Sequence, residues 1–217
     1  MKDHLKLFQP SEVGIIILGD SGINFWLNKT DEKNKKEISK YGYNIYCVRG
    51  NHDARPEDIE GMEKIYDEDV QGEVYYEPKF PLIKYFIDGN IYVIDDYKAL
   101  VIGGAYSVDK YWRLANGGHW FEKEQLSVEE RERIAETVKN NEFDLILAHT
   151  CPFSWMPRDL FLSCVDQSTV DNSMEMWLED LKPYFGNAIY LFGHYHADRL
   201  ERERRAHGGS RARADDG

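Results

Sequence analysis

Asn44-Ile45-Tyr46-Cys47-Val48-Arg49-Gly50-Asn51-His52-Asp53 is the stretch on which the fold turns. Its apolar core, Ile45–Val48, is short, branched or aromatic, and without polar alternation. It ends abruptly in glycine, amide, imidazole and carboxylate. No turn needs Gly50, Asn51, His52 and Asp53 together, so that cluster points to chemistry. The layout recurs three times. Val13–Leu18 runs into Gly19-Asp20, Leu145–Ala148 into His149-Thr150, and Ala188–Phe192 into Gly193-His194-Tyr195-His196. Runs of this kind suit strands buried on both faces, in a sheet covered by helices. In such sheets ligands gather beyond the carboxyl ends of the strands.

Helical segments fit between the runs. Lys29–Lys40 is polar and stops at Tyr41-Gly42. Ser127-Val128-Glu129-Glu130 is a capping box opening a helix to about Asn140. Asp166–Leu181 is a third candidate, ending before Pro183. Ile83–Ile87, Ile91–Ile94 and Leu100–Ile102 are strand-like, with Asp88-Gly89-Asn90 as a hairpin turn within a meander. The sum is an α/β sandwich of two sheets with helices outside. Residues 103–120 form a long loop holding Tyr106, Tyr111, Trp112, His119 and Trp120. Such a loop either shapes a substrate pocket or packs as a lid on the core. Residues 201–217 hold five arginines, no lysine and no apolar periodicity, and read as a disordered tail after a domain at 1–200.

The four clusters bring Asp20, Asn51, His52, Asp53, His149, His194 and His196 to one rim. This mixture of imidazole, carboxylate and amide suits manganese, iron or zinc better than magnesium or calcium alone. The two oxygens of Asp20 can bridge a pair of ions. His194 and His196, two apart, share a face if the backbone is extended there. Gly19-Asp20 alone carries almost no information, and a lone histidine after a strand is usually a packed or exposed residue. The ordered set carries far more.

That set, Gly19-Asp20, Gly50-Asn51-His52-Asp53, His149 and Gly193-His194-Tyr195-His196, resembles the signature of the calcineurin-like metallophosphoesterases, over about residues 12–198. The resemblance implies a four-layer α/β/β/α sandwich of two mixed sheets and hydrolysis of a phosphate ester at two divalent metal ions, manganese foremost. It also implies roles. Asp20 would bridge the ions, Asn51, His149 and His194 would complete one site, and His196 would belong to the other. His52 would protonate the leaving group with Asp53 orienting it, and Arg49 would hold the substrate phosphate, a surface ion pair being the equal alternative for Arg49. Such proteins begin with a strand ending in Asp-x-His. Asp3-His4 are adjacent, so that motif and its N-terminal strand are expected to be missing.

Composition bounds the alternatives. At 217 residues and 42% hydrophobic content the chain is long enough for one two-layered core. No apolar run reaches the ~18 residues of a membrane span. The first ten residues do not read as a signal peptide, so the expected compartment is the cytoplasm. Cys47, Cys151 and Cys164 imply no disulfide framework. A net charge of −12 opposes nonspecific nucleic-acid binding, which ranks a nuclease below a phosphatase or diesterase. The competing reading is a non-catalytic interaction protein on the same fold. Oligomeric state is open.

Overall fold

The computed structural model describes residues 9–10, 13–161 and 165–197. Asp3-His4 and the expected tail at 201–217 lie outside them. Among the described residues, nine strands make two sheets. The first runs β1 (Gly14–Leu18), β2 (Asn44–Val48), β5 (Ile83–Tyr85), β4 (Gly72–Tyr76), β3 (Glu63–Asp67). The second runs β6 (Ile91–Ile94), β7 (Tyr97–Ile102), β8 (Leu145–Ala148), β9 (Ile189–Phe192). β1, β2 and β5 are parallel, as are β7, β8 and β9, while β3, β4 and β6 pair antiparallel, so both sheets are mixed.

The period of two along each strand sorts the apolar residues into layers. Tyr46 and Val48 of β2 meet Ala99 and Val101 of β7 and Leu147 of β8 in a core between the sheets. Ile45 and Cys47 of β2 face the other way. They pack with Ile38 of α1 (Lys29–Ser39). A short helix, α2 (Lys110–Ala115), lies in the 103–120 loop. On the far side, Leu100, Ile102 and Ile146 pack against Ile134 and Val138 of α3 (Val128–Asn140) and Met174, Leu178 and Leu181 of α4 (Ser173–Leu181). The result is the expected four-layer arrangement. No helix among the described residues is long and apolar enough to cross a membrane.

Helix ends follow local chemistry. Asn28 caps α1 by accepting from Thr30 N at 2.8 Å. The capping box of α3 forms as read, Glu130 N donating to Ser127 Oγ at 3.2 Å and Ser127 N to Glu130 Oε2 at 2.7 Å. The third helix starts later than expected. Residues 167–169 form a separate 3₁₀ turn, and α4 begins only at Ser173.

The expected meander does not form. β5 belongs to the first sheet and β6 to the second, so Asp88-Gly89-Asn90 crosses between sheets and is not a hairpin turn. The hairpin in this region joins β6 to β7 through Asp95-Asp96, both at positive φ (48° and 68°), as a two-residue turn matching strand twist requires. β3 and β4 escaped the sequence reading because half-exposed outer strands carry charge, here Glu63, Lys64, Asp67 and Glu73.

β1 and β9 are edge strands among the described residues. Ile189 and Leu191 pair with Leu145 and Leu147 and share their inner face, yet stand 61% and 43% exposed.

Candidate metal centre

β1 and β2 end in one sheet, β8 and β9 in the other, and the four ends meet on one rim. The turns there are tight. Asp20, His194 and His196 have φ of 53°, 65° and 52°, left-handed backbone that costs a non-glycine residue about 1–3 kcal/mol and concentrates at functional sites. Two glycines permit the approach of the loops. A Cβ on Gly19 would overlap the His149 imidazole, and one on Gly50 would overlap the Asp20 carboxylate.

One ligand atom each from Asp20, His149 and His194 lies within 4.8 Å of the others. Asn51 joins them, its Oδ1 lying 2.8 Å from His149 Nε2 and 3.1 Å from His194 Nδ1. The direction of this amide is set from behind. Buried Glu124 accepts from Ser107 Oγ at 2.5 Å, leaving the Ser107 oxygen to accept from Asn51 Nδ2 at 2.9 Å. Hydroxyl polarity thus turns Asn51 Oδ1 toward the histidines.

The protonation pattern fits a cation. Burial, and then the neighbouring His149, push His194 down to about 3, so its imidazole is neutral and keeps a ligand lone pair. Burial works against ionisation of Asp20. The hydrogen bond and charge of His149 and the backbone N–H of His52 outweigh it and hold the carboxyl well below the usual range. His149 Nδ1 lies 2.7 Å from the Leu18 carbonyl, which can only accept, so Nδ1 carries the hydrogen. A backbone carbonyl behind the ring is how ligating histidines are commonly oriented. His149 Nε2 then faces Asn51 Oδ1 and, at 3.5 Å, Asp20 Oδ2. Lone pairs gathered this way repel unless a positive charge, a second proton or a metal ion, lies among them.

The remaining expected residues take different places. His52 is half-buried at the mouth, its backbone N–H donating to Asp20 Oδ1 at 2.9 Å and its Nε2 lying 3.4 Å from Asn51 Nδ2. His196 lines the same cleft but stands exposed, outside the three-residue group. The extended backbone that would give His194 and His196 a common face is absent, because both adopt left-handed φ.

Arg49 and Asp53 make contacts other than those their expected roles imply. Arg49 is buried: its Nε donates to Asp88 Oδ2 at 3.0 Å, Nη2 lies 2.9 Å from the same oxygen, and Nη1 donates to Glu124 O at 2.7 Å. Because Asp88 Oδ1 also accepts from Gly103 N at 2.7 Å, Arg49 clamps the two sheets together and does not face the cleft. Asp53 accepts from Gly50 N at 2.9 Å and from Ser21 Oγ at 3.1 Å. It ties the loop after β2 to the loop after β1 instead of holding the His52 ring.

A cavity of about 300 Å³ opens beside Asp20, Asn51, His52 and His194, walled further out by Tyr106, Met156, Leu160 and Phe161. Behind His149, Thr150 donates to buried Glu175 at 2.7 Å and sits 3.1 Å from the Tyr195 hydroxyl. Glu124, Ser107 and Glu175 escaped the sequence reading because they act through other residues and sit in no motif. Tyr106 lies in the 103–120 loop that did stand out. Cys151 is buried, and burial pushes its thiol up to about 12, which suits a packing role.

A family model for the calcineurin-like phosphoesterases matches residues 2–198. No curated protein and no solved structure matches the chain. With a match over nine-tenths of its length and the motif residues of four strands gathered on one rim, the chain belongs to the calcineurin-like phosphoesterase family.

Proposed function

We propose that the protein hydrolyses a phosphate ester, mono- or diester, at a centre of two divalent metal ions with His52 as general acid. The observation that carries this reading is the convergence of Asp20, His149 and His194, with Asn51 Oδ1 turned to them. Such ions supply Lewis acidity and bring the pKa of a bound water toward ~7. The mixed donor set suits manganese, iron or zinc, and the family resemblance puts manganese first.

The chain's own residues do the rest. Asp20 offers two oxygens and, through Oδ1, holds the His52 backbone beside the ligands. Asn51 has its amide direction fixed by Ser107. His52 presents its imidazole at the cleft, where the ring in its protonated form gives a proton to the departing ester oxygen. General acid catalysis of this kind contributes roughly 10²–10⁴ in rate.

A one-ion centre is the second reading, favoured by His196 standing outside the three-residue ligand group. Turnover of an aryl phosphate monoester and an aryl diester with and without Mn²⁺ tests the main proposal, with Asp20→Asn as control. Metal-dependent hydrolysis lost in that variant supports it, and its absence in folded, metal-loaded protein overturns it. Metal content by mass spectrometry, two ions or one per chain, separates the two readings.

A further inference from the structure

Beside His52 Nε2, the atom that also lies near Asn51 Nδ2, stands a group that the mechanism above does not use. Arg113 of α2 brings Nη2 within 3.5 Å of His52 Nε2. It is aimed, not loose. Its Nε donates to Asp109 Oδ2 at 2.7 Å, Nη1 donates to the His119 carbonyl at 3.5 Å, and its guanidinium carbon lies 5.5 Å over the Phe25 ring. Among the described residues, no lysine or arginine lines the 300 Å³ cavity, and Arg49 is committed to Asp88. Arg113 is thus, among the described residues, the cation that stands beside His52 Nε2.

Aromatic rings continue outward from that point. Phe25 lies 6.1 Å from the His52 ring, 4.8 Å from Trp26 and 6.2 Å from Phe121. His119 lies 5.8 Å from both Phe25 and Trp26. Trp26 is 46% exposed. Trp26 and its neighbours are drawn from two loops, one after β1 and one after β7, so the cluster belongs to neither sheet.

We propose that Arg113, Phe25, Trp26 and His119 form a leaving-group subsite for phosphate esters of a flat aromatic group, a nucleobase or a simple aryl ring. Arg113 binds a phosphoryl oxygen next to the bond that breaks, and the rings stack on the departing portion. This rests on the phosphoesterase reading. Hydrolysis transfers the phosphoryl group to water, with the P–O bond to the leaving group broken and its oxygen protonated from His52. The protein's −12 charge favours a small ester over a polynucleotide, whose many phosphates it repels.

Binding separates this idea from activity. Calorimetry on the Mn²⁺-loaded protein would compare adenosine monophosphate, phenyl phosphate, ribose 5-phosphate and inorganic phosphate, in wild type, Trp26→Ala, Arg113→Ala and Arg113→Lys. Stacking of one base on an aromatic side chain is worth ~1–3 kcal/mol, so Trp26→Ala should weaken the aromatic esters by about 5- to 150-fold. Ribose 5-phosphate should move far less. Arg113→Ala should weaken all four ligands, inorganic phosphate included, and Arg113→Lys should recover part of the loss. Trp26 is exposed, so its variant is not expected to lose the fold. Equal affinity for adenosine monophosphate and ribose 5-phosphate, unmoved by Trp26→Ala, would overturn the subsite even in an active enzyme. Selective binding without turnover of any ester would keep the subsite and remove the hydrolytic reading. A preference between adenosine monophosphate and phenyl phosphate decides between nucleobase and aryl ring.

Discussion

His52, Ser107 and Arg49 make three different kinds of contact at the rim or behind it, and each predicts its own signature. Replacing His52 by alanine should lower turnover of an aryl ester by about 10²–10⁴ while leaving metal affinity near wild type. Unchanged turnover would remove His52 from the proton transfer. Ser107→Ala takes away the hydroxyl that accepts from Asn51 Nδ2 and donates to Glu124. Partners of this kind, one bond behind a ligand, typically carry 10- to 100-fold in metal affinity, so Mn²⁺ titration should show a loss of about that size. Arg49→Met should act on the fold. It leaves Asp88 largely buried without its partner, at a cost of about 3–5 kcal/mol, read as a lower denaturation midpoint. A rise in KM without loss of stability would instead return Arg49 to the substrate.

Strands deliver these residues, and their burial shows which of them hold the rim in place. Leu147 of β8 is buried between the sheets, two residues before His149, whereas Leu191 of β9 shares its face at the open edge. Leu147→Ala should cost about 2–5 kcal/mol, the range for a buried leucine truncated to a cavity. Leu191→Ala should cost under about 1 kcal/mol, as substitutions at exposed positions do. Chemical denaturation of the two variants side by side makes the comparison, and equal losses would mean that the β9 edge is covered in solution. The elements legible in the sequence were those with a strong internal signal: the four apolar runs, the Ser127 capping box and the polar helix before Tyr41-Gly42. The β3–β4 hairpin was not legible, because its alternation is diluted by charge at a sheet margin.

Across the whole molecule, the two halves are tied by ion pairs. Arg55, in the loop after β2, reaches Glu130 of α3 with Nη1–Oε1 at 2.5 Å and Nη2–Oε2 at 3.0 Å. Burial disfavours the charged form of Glu130, but Arg55 prevails and its carboxyl lies below the ordinary 4.5. A folded-state value below the unfolded one contributes stability that is present above the unfolded value and is lost as pH falls through the folded one. Glu130→Gln should therefore lower stability at neutral pH and flatten the decline below about pH 4.5, seen in thermal midpoints across pH. Metal should tie the halves further, since the ligands come from both sheets. An ion held at a hundred times its dissociation constant adds about 2.7 kcal/mol, so chelator should lower the unfolding temperature of wild type and spare Asp20→Asn.

Local pattern by itself determined the four apolar strands, the Ser127 capping box and the candidate ligand residues, because glycine, amide, imidazole and carboxylate following an apolar run are written contiguously. Tertiary structure alone decided how the strands divide between two sheets, and with that the fate of Asp88-Gly89-Asn90 as a crossing. It decided that Arg49 points inward to Asp88 while Arg113, sixty-four residues later, faces His52. It also decided that Glu124 orients Asn51 from a loop far along the chain. The physical reason is range. Backbone propensity and side-chain period act over a few residues, whereas the direction of a guanidinium or an amide is set by whichever charge the packed sheets bring within about 3 Å.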